Sequence, residues 1–100
     1  MVLREAGKIN VQGSVTTDNV VALTQQGADL FDGDQLVVDL EKVTEVDSSV
    51  IAMLLEWLRK AGNNGHSLQF INIPKSLESL IQLYGVSELI PRVISNNPVD

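Results

Sequence analysis

The stretch VTEVDSSVIAMLLEWLRKAG, residues 43–62, decides the fold of this chain. A strand-like run leads into Asp47, Ser48 and Ser49, side-chain types that cap helices. Apolar side chains then recur at helical spacing, at Ile51, Leu54, Leu55 and Leu58. After the strand-like run, the stretch predicts a polar turn and then a helix that ends in the sequence GNNG, residues 62–65.

The rest of the chain alternates between strand and helix patterns. Strands are predicted at residues 2–6, 8–12, 35–40 and 67–73. One helix is predicted to begin at a cap on Thr16 or Thr17, and another after Pro74. The order β-β-α-β-α-β-α predicts a single α/β domain over residues 1–95 with a disordered tail at 96–100. Its sheet is predicted to be mixed, mostly parallel and four- to five-stranded, with helices mainly on one face.

The composition excludes several classes of function. The 100 residues carry a net charge of −6 with scattered basic residues, which argues against nucleic acid binding. With no cysteine and a single histidine, His66, the chain offers no thiolate zinc site and no hydrolytic triad. His66 is predicted to be a solvated turn residue. The sequence therefore predicts a non-enzymatic protein without metal or cofactor.

Location is predicted from apolar runs. The start of the chain lacks the apolar core of a signal peptide, and no run approaches the roughly 20 residues that span a bilayer. The prediction is a cytoplasmic protein with no direct membrane insertion.

The serines at the predicted helix start allow two interpretations. In the first, they only cap the helix. In the second, the free N–H groups and partial positive charge of the helix start favour a phosphate on a serine hydroxyl. Val50, Met53 and Trp57 follow on one flank of this helix, between its core and solvent faces. That flank is interpreted either as core rim or as a docking surface with an aromatic anchor.

The run VDLEKVTEVDSSVIAMLLEWLRKAGNNGHSLQFINIP resembles the central signature of STAS domains, the fold of bacterial anti-sigma-factor antagonists. The resemblance covers nearly the whole chain. Three further runs, ALTQQGADLF, LLEWLRKA and IPKSLESLIQLYGVSELIP, resemble the MlaB-like branch. Members of that branch are the cytoplasmic STAS subunit of the Mla phospholipid ABC transporter, which maintains outer-membrane lipid asymmetry.

The resemblance implies a partner and an interface. In the transporter branch the partner is the ATPase subunit, so the chain is expected to lie peripheral to an inner-membrane complex. In the sigma-regulating branch the partner is an anti-sigma-factor kinase that phosphorylates the hydroxyl corresponding to Ser48. Ser48 is the expected contact in either case, with neighbours at Ser49, Val50, Met53 and Trp57. Asp47 and Thr16 are expected to hold in place the start of this helix, residues 47–49, which is called the helix mouth below. Whether the chain forms a homo-oligomer is left open.

Two departures from the sigma-type pattern favour constant docking over a phosphate switch. Val50 stands where that pattern has glycine, which adds apolar surface beside the hydroxyl. Thr16 stands where the first loop commonly carries an aspartate. An accessory subunit of a transporter is therefore the first interpretation, and a phospho-regulated antagonist is the alternative.

Overall fold

The computed structural model describes residues 1–92. Within them the chain forms six strands and three α-helices, followed by a 3-10 turn at Ser87–Leu89. The strands are β1 (Val2–Glu5), β2 (Lys8–Val11), β3 (Gly13–Val15), β4 (Gln35–Asp39), β5 (Val43–Val46) and β6 (Ser67–Ile71). The helices are α1 (Val20–Ala28), α2 (Ser49–Asn63) and α3 (Lys75–Leu83). The predicted boundary at residue 95 and the predicted tail at 96–100 lie outside the described residues.

The main sheet has the order β1-β2-β4-β6. β1 is antiparallel to β2, and the pairs β2–β4 and β4–β6 are parallel. The predicted mixed, mostly parallel sheet is confirmed. A second parallel pair, β3–β5, lies outside this sheet, and the predicted order contained neither of these two strands.

The helices cover one face of the main sheet, as predicted. The register places Ile9, Val38 and Phe70 in one row across three strands, and all three side chains are buried. The next row carries Asn10 and Asp39, which are only half-buried. This alternation shows one packed and one open face, so the apolar run of β4 is not covered on both sides.

Helix α1 begins later than the sequence predicts. Its N-cap is Asn19, not Thr16 or Thr17. The Asn19 side chain accepts from the Thr16 N–H at 3.0 Å and donates to the Ser14 carbonyl at 2.9 Å. The Thr16 carbonyl accepts in turn from the N–H groups of Asn19 and Val20. These bonds make residues 14–19 a fixed loop and delay the helix by about one turn.

The last described segment is anchored to α3. The Arg92 side chain is 8% exposed and forms an ion pair with Glu78 at 2.7 Å. Arg92 also donates to the carbonyls of Ser87 and Ile90. The Phe70 N–H donates to the Pro91 carbonyl at 3.0 Å, which fastens this segment to the edge of β6.

Candidate functional site

The start of α2 is capped by Asp47, and the two serines behave differently. The Asp47 carboxylate accepts from both the N–H and the hydroxyl of Ser49, with an N···O distance of 2.9 Å. Ser48 is exposed and makes no capping bond with its side chain. Capping therefore accounts for Asp47 and Ser49 but leaves the Ser48 hydroxyl facing solvent.

The first amides of α2 already have acceptors within the chain. The Ser49 N–H donates to the Asp47 carboxylate, the Val50 N–H to the Asp47 carbonyl at 3.1 Å, and the Ile51 N–H to the Ser48 carbonyl at 3.2 Å. The prediction of several free N–H groups that would hold a phosphate at this position is therefore wrong. A phosphate on Ser48 would also stand beside the Asp47 carboxylate, which repels it.

Asp47 joins two loops at the site. Its second carboxylate oxygen accepts from the Thr17 N–H at 3.0 Å, so it links the β3–α1 loop to the start of α2. Hydrogen bonds from Ser49 and Thr17 lower the pKa of Asp47 below its ordinary value of 3.8. The loop contact is made by Thr17. Thr16, the predicted support, contributes by shaping that loop.

The predicted apolar flank is buried inside the fold. Val50, Met53 and Trp57 are all fully buried, so the prediction that their side chains form an exposed docking surface is wrong. Helix α1 packs over this flank of α2, which a projection of α2 alone cannot reveal. Trp57 is a core residue, and the interpretation as core rim underestimated its burial.

Trp57 is held by two contacts from α1 and by one from Phe31, which follows that helix. Its indole N–H donates to the Thr24 carbonyl at 2.8 Å. Its ring lies against Gly27, where a Cβ atom would come within 2.3 Å of the ring carbon Cζ2. Phe31 meets it edge-on, with ring centroids 6.2 Å apart. The glycine lets α1 approach α2 closely enough to enclose the indole.

The outer surface next to Ser48 is a groove between α1 and α2. On α2 the exposed side chains follow Ser48 at helical spacing, through Ala52 to Arg59. The groove has a volume of about 470 Å³ and is lined by Val20, Val21, Thr24, Gln25, Ala28, Asp29, Ala52, Met53, Glu56 and Lys60. Val21, on the α1 wall of the groove, is 77% exposed.

Nothing in the described part of the chain assembles into a metal centre. No group of three or more His, Asp or Glu side chains within residues 1–92 is arranged to hold an ion. His66 is half-buried and contacts the Gly33 carbonyl through Nδ1, so the prediction of a solvated histidine is wrong. Its ring also lies edge-on to Phe31. His66 thus joins the loop before β4 to the loop before β6.

Comparison with protein families decides the classification. A family model described as "Mlab, STAS domain" matches residues 3–91. The chain belongs to the STAS domain family. STAS domains are typically non-catalytic modules that interact with partner proteins. No helix within residues 1–92 has the length and apolar character needed to span a membrane.

Solved structures of STAS proteins share the fold. An anti-sigma factor antagonist from Mycobacterium paratuberculosis is 24% identical with a TM-score of 0.74, covering 92% of this chain and 81% of its own. A STAS domain protein from Planctomyces limnophilus is 15% identical with a TM-score of 0.68, covering 96% and 90%. The antagonist SpoIIAA in its unphosphorylated form is 12% identical with a TM-score of 0.68, covering 95% and 88%. Comparison with curated proteins gives no match in sequence.

Proposed function

We propose that this STAS domain is the accessory subunit of a phospholipid ABC transporter that maintains outer-membrane lipid asymmetry. It docks on the transporter's cytoplasmic ATPase subunit through the mouth of α2 and does no chemistry itself. The observation that carries the proposal is the exposed Ser48 hydroxyl on a helix start whose amides are already paired. The description of the matching family as Mlab is compatible with this partner.

The geometry of the mouth favours a protein partner over a bound anion. The free Ser48 hydroxyl can donate a hydrogen bond to a partner group or accept one from it. No hydrogen bond within the chain has to break first. An anion would need the N–H groups of residues 49–51, which Asp47 and Ser48 already occupy. Ser49 is bonded to Asp47 and takes part mainly by holding the mouth in place. Peripheral association with the inner membrane follows from the partner.

A second candidate function is a phospho-regulated anti-sigma-factor antagonist, with a kinase as partner. The exposure of the Ser48 hydroxyl favours it, because a kinase must reach that atom. In this function, a phosphate on the solvent-exposed Ser48 hydroxyl weakens binding to the partner protein by charge repulsion. It is the weaker candidate because Val50 and Thr16 stand where the sigma-type pattern has a glycine and an aspartate.

The test is the affinity of the purified chain for the ATPase subunit of the phospholipid transporter from the same cell. Ser48→Glu places a carboxylate in the contact and is expected to raise Kd at least tenfold. Ser48→Thr keeps the hydroxyl and is expected to stay within about threefold of the wild type. A wild-type chain that does not bind the ATPase, but gains one phosphate at Ser48 from an anti-sigma-factor kinase, would establish the second function instead.

A further inference from the structure

The groove between α1 and α2 has the dimensions of a helix-binding surface. Its α1 wall runs from Val20 to Asp29, about 14 Å at a rise of roughly 1.5 Å per residue. Its α2 wall begins at Ala52, one turn after Ser48, and extends to Lys60. Ala52 is thus the α2 lining residue that is nearest in sequence to the proposed docking residue, one helical turn away.

The groove carries apolar surface that the fold itself does not use. Val21 is 77% exposed in the first turn of α1, whose buried residues are Leu23 and Gly27. Ala28 and Ala52 offer small side chains on opposite walls, and the buried Met53 lines the groove between the two helices. Aliphatic walls of this kind accept the apolar anchors of an amphipathic helix.

The charge around the groove indicates the kind of helix. Asp29 lines the groove at the end of its α1 wall, and Asp18 and Asp47, which do not line it, precede the starts of α1 and α2 in the chain. Glu56 is already paired with Arg59 at 2.6 Å, which leaves Lys60 as the basic side chain on the groove wall. Three carboxylates against one ammonium group favour a basic occupant. A second copy of this chain, with its own net charge of −6, would be repelled.

We propose that the α1–α2 groove receives one amphipathic helix of the ATPase partner. The helix presents an aliphatic anchor to Val21, Ala28 and Ala52, and Lys or Arg side chains to these aspartates. This proposal rests on the proposed function. It extends the contact from the hydroxyl of Ser48 to a defined groove and assigns α1 a direct part in binding.

The test compares two substitutions of equal chemistry at different places. Val21→Lys removes an apolar contact in the groove and adds a charge that repels a basic helix. Leu83→Lys is the matched control, because Leu83 is 76% exposed at the end of α3 and the change in net charge is the same. Both positions are exposed, so both variants are expected to fold with the stability of the wild type. Kd for the purified transporter ATPase is measured for each by calorimetry.

The expected result is a rise in Kd of about tenfold or more for Val21→Lys and less than about twofold for Leu83→Lys. Equal Kd for Val21→Lys and wild type, with Ser48→Glu still disrupting the complex, overturns the groove and leaves the proposed function standing. Equal weakening by both lysines also overturns it, since a general charge effect would then explain the data. Absence of wild-type binding refutes the proposed function itself. Self-association of the chain that Val21→Lys abolishes would identify a second copy as the occupant.

Discussion

Substitution of Gly27 by alanine tests how tightly α1 encloses the tryptophan of α2. A Cβ atom at residue 27 would lie 2.3 Å from Cζ2, 2.6 Å from Cε2 and 3.0 Å from Nε1 of Trp57. Trp57 is fully buried, so its ring has no solvent-side space into which to move. The helices must separate or the indole must rotate away from the Thr24 carbonyl.

The net destabilisation follows from three contributions. Overpacking in a core costs about 1–3 kcal/mol. Loss of the bond between the Trp57 N–H and the Thr24 carbonyl costs about 1 kcal/mol more. Alanine recovers about 1 kcal/mol because glycine is a poor helix former. We expect the free energy of unfolding to fall by about 2 kcal/mol and Tm to fall by roughly 10 °C.

Urea denaturation and calorimetry of Gly27→Ala provide the measurement, and Gly62→Ala is the matched control. Gly62 also lies in a helix, but nothing stands within 4 Å of the position of its added Cβ. The control is expected to gain up to about 1 kcal/mol from helix propensity alone. If Gly27→Ala is as stable as the wild type, the close contact between α1 and Trp57 does not exist in solution.

Three further predictions concern Trp57, the ion pair between Arg92 and Glu78, and the start of α2. Trp57 is the single tryptophan and is fully buried, so its fluorescence is expected to resist iodide quenching equally in the free chain and in the complex with the ATPase. A decrease in quenching when the complex forms would mean that the indole is exposed in the free chain and covered by the partner. Arg92 lowers the pKa of Glu78 below its ordinary value of 4.5, so the stability this pair contributes is present above pH 4.5 and lost as the pH falls below it; Glu78→Gln is expected to flatten that acid slope in urea titrations, and an unchanged slope would contradict the assignment. Asp47→Ala is expected to speed amide exchange at Thr17 and Ser49, because both N–H groups lose their acceptor; unchanged exchange there would show that Asp47 does not join the two loops.

The fold followed from sequence wherever local pattern and burial agree. The strand at 35–40 and the helix at 49–63 have strong periodicity and clear stop signals, and the structure places both within a residue or so of the prediction. The start of α1 was misplaced because Thr16 and Asn19 are both good caps, and the tertiary contact of Thr17 with Asp47 decided between them. β3 was missed because a three-residue strand has too few positions for a pattern.

The site was predictable in its polar part and not in its apolar part. Asp47, Ser48 and Ser49 are neighbours in sequence, so their position at one helix start could be inferred directly. The burial of Trp57 depends on Gly27, 30 positions earlier, which allows α1 to approach α2 closely. The sequence of α2 alone does not show how closely α1 packs against it. For the same reason, the groove beside Val21 could be recognised only in the structure.

Hydrogen exchange across residues 1–92, with and without the bound transporter ATPase, shows where the partner docks on this chain. If the partner docks at the mouth of α2, protection on binding will concentrate at Thr17, Ser48 and Ser49 and along the outer faces of α1 and α2. The open face of the sheet, around Asn10 and Gln69, will exchange as it does in the free chain. Protection confined to that sheet face, with the helix mouth unchanged, would contradict the account.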